Sequence, residues 1–443
     1  MNIRRWIFLL AILFLVFGYI FLFYKKYDNT SVPGSADIVA VVDIKNVARS
    51  YLKEFILHPS RWFSTGRKRE RELNWRKIFV LPDYLCFFHC AGQTADKWYL
   101  RLQIKNRKKF NEALELFHFQ RRDFGERILY SSSELGIHFF VERDNVILAS
   151  YPCSATDISK VEMDLFSNHK FLSGALARSF VNTDHHGVLL FRNGRYFSKP
   201  GSIGIDVKGA EVNLVGAIFP KAKINPQAIP VSKSPRDVLN LSLAPIPSAY
   251  LNFFSDSMVH KWSQLVGLPV DSLFLNDRYS WTLTLHGFRQ RADTAISFEL
   301  DENFMEVKKS ILIHSTEPVM ELVANGEEAG KILSLMQQRG MLENEMGRLR
   351  FTGFPLWPLF VSGSTNKFIL GNYENPPIHF TNKLEVGSLE IYPSRIPDSL
   401  FRFIPDGIRP WFRHTGSISL QLKPSGNAVI VIGKMIRKEG TYF

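Results

Sequence analysis

Between Trp6 and Tyr24 the chain reads WIFLLAILFLVFGYIFLFY, nineteen residues without a charge. At about 1.5 Å of rise per residue, such a run makes a helix roughly 28 Å long, close to the hydrocarbon thickness of a bilayer. One stretch of this kind predicts a single membrane-spanning helix, with a body hung from it after Lys26. A cleaved signal has an apolar core of about 7 to 15 residues and a small-residue site behind it. Here the run is longer and ends in Tyr24-Lys25-Lys26-Tyr27, with no Ala-x-Ala. The expectation is a retained signal anchor over residues 6–24 behind a cytoplasmic tail at 1–5. Arg4 and Arg5 nearly balance Lys25 and Lys26. Long downstream domains translocate largely regardless of their own charge. The body is therefore expected on the periplasmic, extracytoplasmic side of the inner (cytoplasmic) membrane.

The remaining length, out of 443 residues, allows two or three domains, and 45% hydrophobic residues can fill real cores. The formal charge of +13 is uneven. Residues 27–221 hold 28 basic and 21 acidic side chains, whereas residues 222–443 hold 23 and 21. The half next to the expected anchor is the basic half, as contact with anionic head groups favours. Cys86, Cys90 and Cys153 are too few for a disulfide framework. Cys86 and Cys90 fall in one strand-like run, about 13 Å apart, beyond the reach of a bridge. They read as buried thiols.

Strand-like and helix-like runs alternate through the body. Ala36 to Asp43 is β-branched, and Ile44 to Leu57 carries apolar residues at helical spacing. Asn106 stands where an N-cap would open a helix burying Phe110, Ala113, Leu114 and Phe117. Five weak matches recur in one order at offsets of 213 to 222 residues. Among them, Arg127-Ile-Leu-Tyr pairs with Arg348-Leu-Arg-Phe, and Pro247 to Phe254 with Gly34 to Val41. A period that long excludes a solenoid and predicts tandem duplication of one domain. The expected fold class is α+β: the anchor, then two related α+β domains with mainly antiparallel sheets. The first spans 33–221, a Pro-rich linker 222–246, and the second, its duplicate, 247–436.

No complete catalytic motif is present. Gly326-Glu-Glu-Ala-Gly-Lys331 is one residue short of a phosphate loop and ends in Ile332 where a hydroxyl would hold magnesium. Ser50-Tyr-Leu-Lys53 has the spacing of penicillin-interacting serine enzymes, but Lys-Thr-Gly and Ser-Asp-Asn are missing. Asp184-His185-His186-Gly187 offers metal ligands, yet adjacent residues of an extended chain point to opposite faces. The reading is a non-enzyme with no catalytic, cofactor-binding or metal residues and no cofactor.

Two surfaces remain. Arg61 to Lys77 holds seven basic residues with interleaved aromatics. Its membrane-surface candidates are Arg61, Trp62, Arg67, Lys68, Arg69, Arg71, Trp75, Arg76 and Lys77. With the body outside the cytoplasm, nucleic acid is not expected as a partner. Two proline-broken aromatic runs supply apolar-groove candidates: Phe354, Trp357, Phe360, Trp411 and Phe412.

In its anchor and its Pro33-to-Asp43 opener, echoed at Pro247, the layout resembles single-pass membrane-anchored extracytoplasmic proteins of Gram-negative, Bacteroidota-like bacteria. That resemblance implies an architecture and no functional residue. The expected function is a non-enzymatic, membrane-tethered envelope protein that binds a protein or cell-surface component through its duplicated domains. The alternative is binding or handling of lipid or another apolar ligand at the membrane surface. Expected partners are the membrane, an envelope protein and, under the alternative, lipid.

Overall fold

Alternation of β-branched or aromatic residues with polar ones, repeated in short runs, commits most of this chain to strands. The computed structural model describes residues 23–57, 75–124, 127–133, 135–150, 155–172, 183–230, 237–247, 250, 256, 259–260, 263–264, 278–300, 304–353, 357–372, 380–403 and 409–438. The chain divides into two compact units, one mainly Met1–Ala222 and the other mainly Lys223–Leu251 with Val259–Gly426.

Unit 1 runs β1 (Ala36–Asp43), α1 (Ile44–Leu57), α2 (Trp75–Ile78), β2 (Phe79–Val80), β3 (Tyr84–Cys90) and β4 (Tyr99–Ile104). It continues with α3 (Arg107–Leu116), β5 (Gln120–Phe124), β6 (Arg127–Ser132), β7 (Ile137–Glu142), β8 (Asn145–Ser150) and α4 (Ala155–Glu162). The last elements are β9 (Gly187–Phe191), β10 (Gly201–Lys208) and β11 (Glu211–Ile218). Every pairing is antiparallel, in the order β11-β10-β9-β1-β3-β4-β8-β7-β6-β5. One core cluster gathers Val39, Val41, Phe88 and Tyr99 with Ile158 and Val161 of α4. A second gathers Leu100, Leu102 and Phe139 with Phe110 and Leu114 of α3.

Unit 2 runs β12 (Gln227–Pro230), β13 (Leu239–Leu243), β14 (Ser280–Leu300), β15 (Glu306–Asn325), α5 (Lys331–Gln338), β16 (Leu342–Glu345) and β17 (Arg348–Phe351). Then come β18 (Leu359–Ser364), β19 (Lys367–Gly371), β20 (Phe380–Glu385), β21 (Gly387–Ile391), α6 (Arg409–His414) and β22 (Thr415–Ser425). The main sheet has the order β22-β21-β13-β14-β15-β19-β18-β17-β16, again antiparallel. Its core packs Trp281, Leu322, Phe351 and Phe368 against Ile332 and Met336 of α5. Both units contain a strand, a helix and four strands, the fourth of which returns to pair with the first: β4-α3-β5-β6-β7-β8 and β15-α5-β16-β17-β18-β19. Strand β13, counterpart of β1 in that order, lies inside the stretch 222–246 that the proline spacing marks as a linker.

Two expectations are corrected. The fold class is not α+β: the chain is mostly β, 51% strand and 19% helix, and its sheets are antiparallel. Ser280 to Leu300 form one continuous strand paired with β15, with a register shift between Leu285 and Gly287. The transmembrane signal anchor is the second correction. Among the described residues no helix is long and apolar enough to cross a membrane. Phe23 and Tyr24, the end of the expected span, lie in a turn and in irregular chain, and residues 6–22 fall outside the described residues. Lys25 and Lys26, counted as head-group flanks, are tied to protein instead. The Lys25 ammonium pairs with Asp43, and the Lys26 N–H donates to the Asp83 carboxylate at 2.7 Å. The inner-membrane, single-pass localisation is corrected with it.

Candidate functional site

Helix α3 starts as its sequence predicts. The Asn106 side chain accepts from the Lys109 N–H at 3.0 Å, and Phe110 and Leu114, four apart, turn inward. The carbonyl of Ile78 accepts from the N–H groups of both Lys105 and Asn106, at 2.8 and 3.2 Å, which pins the end of α2 beside the start of α3. Between these helices and β7 lies an apolar pocket of about 210 Å³. Trp75, Phe79, Phe110, Phe117, Phe119 and Phe139 are among the residues lining it, and no lining residue carries a charge. The rings brace one another: Phe79 and Phe139 each stand 5.7 Å from Phe110, edge to face, and Phe119 lies 5.2 Å from Phe139. Trp75 stacks on Phe79 at 5.9 Å yet is 47% exposed, so it forms the mouth. Arg76 and Lys77 on α2, and Lys105, Arg107 and Lys108 around the α3 start, are exposed on the elements that wall the pocket. Glu112 and Glu115 sit further along α3.

Of the membrane-surface candidates, Arg61, Trp62, Arg67, Lys68, Arg69 and Arg71 lie outside the described residues. Trp75, Arg76 and Lys77 lie in α2, and of the three Trp75 lines the pocket. Of the groove candidates, Phe354 lies outside the described residues. Phe360 in β18 is the platform for the Arg348 guanidinium, 3.9 Å from the ring centre. Trp357 precedes β18, Trp411 belongs to α6, and Phe412 is half-buried there.

Two motifs dismissed separately in the sequence meet in space. Ser50 Oγ lies 2.5 Å from His186 Nε2, and Asp206 lies 2.9 Å from His185 Nδ1 and 3.6 Å from His186 Nδ1. The set looks like a serine nucleophile with its base, but the proton is in the wrong place. The Val207 N–H donates to His186 Nδ1 at 3.2 Å, so that nitrogen accepts. Nε2 then carries the hydrogen and donates to Ser50, the reverse of what a general base requires. Ser50 also sits inside α1, where backbone N–H groups are spent on the helix and none is left to hold an oxyanion. Among the described residues, no group of three or more His, Cys, Asp or Glu is placed to hold a metal. Lys331 forms an ion pair with Glu328 at 2.5 Å, which removes the phosphate-loop reading of Gly326 to Lys331.

Sequence reasoning missed a buried pair that occurs once in each unit. In unit 1, His89 Nδ1 meets Asp37 at 2.7 Å and Nε2 faces the Thr94 carbonyl at 3.0 Å, with His89 fully buried. In unit 2, His286 Nδ1 meets Asp237 at 3.0 Å and Nε2 lies 3.9 Å from Glu321. Ladder registers put them at one place: Val41 faces Cys86 and Ile38 faces His89, while Leu241 faces Leu283 and Leu239 faces Leu285, one step from His286. An arginine steadies each aspartate strand: Arg192 donates to the Gly34 and Ala36 carbonyls, and Arg395 to the Asp237 carbonyl. The available signal was Asp37-Ile-Val against Asp237-Val-Leu, 200 residues apart, a spacing outside the offsets that the other matches define.

Burial opposes the charge on His286, but the hydrogen bond to Asp237 and the attraction of Asp237 and Glu321 outweigh it and push the pKa up to about 9. The ordinary value is near 6.5, so the group stabilises the fold fully below about pH 6.5 and loses that contribution as pH rises through 9. The expected difference is about 3 kcal/mol, read as a fall in urea midpoint between pH 6 and pH 9.5. A His286→Gln chain should show a much flatter profile, and equal slopes in the two chains would refute the assignment.

No family model and no curated protein matches the chain. A solved structure described as crystal form I of TP0453 is similar at 10% identity and a TM-score of 0.28, over 46% of this chain and 82% of that one. A likeness at that level carries no argument.

Proposed function

We propose that this chain is a non-enzymatic binding protein whose first unit takes the hydrocarbon part of an anionic amphiphile. The observation that carries this reading is the aromatic pocket between α2, α3 and β7, with exposed basic residues on and beside the two helices. Its lining side chains are apolar apart from the indole N–H of Trp75 at the mouth, so affinity there comes mainly from apolar burial, at about 25 cal/mol per Å² removed from water. Arg76, Lys77, Lys105 and Lys108 supply charge for a carboxylate or phosphate head. A volume of about 210 Å³ is below that of most drug-sized sites, so it suits one acyl chain or a portion of it.

Fluorescence titration of the full chain with cis-parinaric acid tests the reading. Micromolar binding is expected, and Ala113→Trp, which fills the pocket from α3, should weaken it roughly 10-fold or more. Wild-type chain that does not bind, or an Ala113→Trp chain that binds equally well, would refute it. A protein partner is favoured by a different feature, the long β14–β15 ribbon.

A further inference from the structure

Strands β14 and β15 pair from Ser280↔Asn325 to Leu300↔Glu306, but only their inner ends have other neighbours. β13 pairs with Trp281–Leu285 and β19 with Glu321–Asn325. Beyond them, among the described residues, the two strands pair only with each other, which leaves β15 with an open edge. Ten consecutive residues of β15, from Glu306 to Ser315, are exposed. Paired residues share a face, so Ile296 and Leu312 fall on one side and Val307, Ile311 and Ile313 on the other, all at least 41% exposed. Phe304 and Met305 at the tip are 83% and 66% exposed.

A two-stranded ribbon that is apolar on both faces is marginal alone in water, and an open, flat, apolar edge invites another strand. Hydrocarbon is a poor occupant, because every unpaired backbone group on the open edge would go unsatisfied there. Sequence symmetry identifies a better one. An antiparallel two-fold about Leu312 sets Ile311 opposite Ile313, Ser310 opposite His314, Lys309 opposite Ser315 and Lys308 opposite Thr316. Over these pairs the apolar residues meet apolar ones and no like charges face each other, and the next pair sets Val307 opposite Glu317. The β14 edge lacks this property, since its acids Asp293 and Glu299 are symmetric about Ile296.

We infer that the ribbon is a self-association arm, and that two copies of this chain join β15 to β15 around Leu312. The contact is isologous, so it closes at two copies.

Sedimentation velocity of the full chain tests it. Wild type should be mainly dimeric at about 20 µM. Leu312→Glu and Leu312→Lys each place like charges face to face and should weaken association roughly 100-fold. An equimolar mixture of the two should restore the dimer, a result that a merely misfolded variant cannot give. Leu312 is 60% exposed, so both variants should keep the wild-type circular dichroism spectrum. Three results would overturn the inference: wild type monomeric at about 100 µM, a Leu312→Glu chain that stays dimeric, or a mixture that stays monomeric. Monomeric wild type that instead binds anionic vesicles would assign the arm to a lipid surface.

Discussion

His286→Ala is expected to cost the second unit about 3–5 kcal/mol, because it leaves two carboxylates buried without their cation. Asp237 is 4% exposed and Glu321 is 6% exposed, and the imidazole lies between them. With the ring gone, neither acid regains water, and they repel each other unless one takes a proton. The loss should appear as a lower urea midpoint and as faster amide exchange in β13, which begins two residues after Asp237, and in β14, which carries His286. Replacing all three by leucine should restore much of the stability, since buried ion clusters exchanged for apolar packing are often neutral or better. A single-variant cost below about 1 kcal/mol would mean that the cluster does not hold these strands.

The sequence is most legible where the signal is local. Asn106, Phe110 and Leu114 show the start and buried face of α3, because capping and a 3.6-residue period are written within one element. Ala36 to Asp43 is legible as a strand for the same reason. Pairing is not local, so Leu239–Leu243 is hidden among prolines, although it occupies a central position between β14 and β21. Hydropathy over Trp6 to Tyr24 weighs apolar content alone. It gives no hint that Lys25 will pair with Asp43, eighteen residues on, inside unit 1. The site shows the same division. Trp75 and Phe110 are each conspicuous, one in a basic run and the other on a helix face. The shared carbonyl of Ile78 and the packing of Phe79 on Phe110 bring α2 to α3 and make a pocket of them. Ser50 and His186 show the opposite case, where proximity was not legible and the donor at Val207 removes the chemistry it would imply.

Phe110→Ala should produce the other large effect, and it separates the pocket's structural role from its binding role. Phe110 is 2% exposed and meets Phe79, Phe139 and Tyr130 within 6.2 Å between ring centres. Removing a buried phenylalanine costs about 3–5 kcal/mol, the upper end applying where neighbours cannot collapse into the space. Collapse is restricted here, because the three rings are held by β2, β6 and β7 and the new void opens into the pocket of about 210 Å³. An enlarged apolar cavity should accept an apolar guest, and a guest that binds only the folded chain returns stability by mass action. At a fatty-acid concentration about 100 times its dissociation constant, the variant should regain about 2.7 kcal/mol. Leu102→Ala is the control: it opens the same core cluster at a residue that does not line the pocket, and should lose about 2–5 kcal/mol. Its gain from the fatty acid should be no larger than that of wild type. If Leu102→Ala were rescued to a greater degree than wild type and as fully as Phe110→Ala, the ligand would be acting on the chain at large, and the pocket would lose its claim as the site.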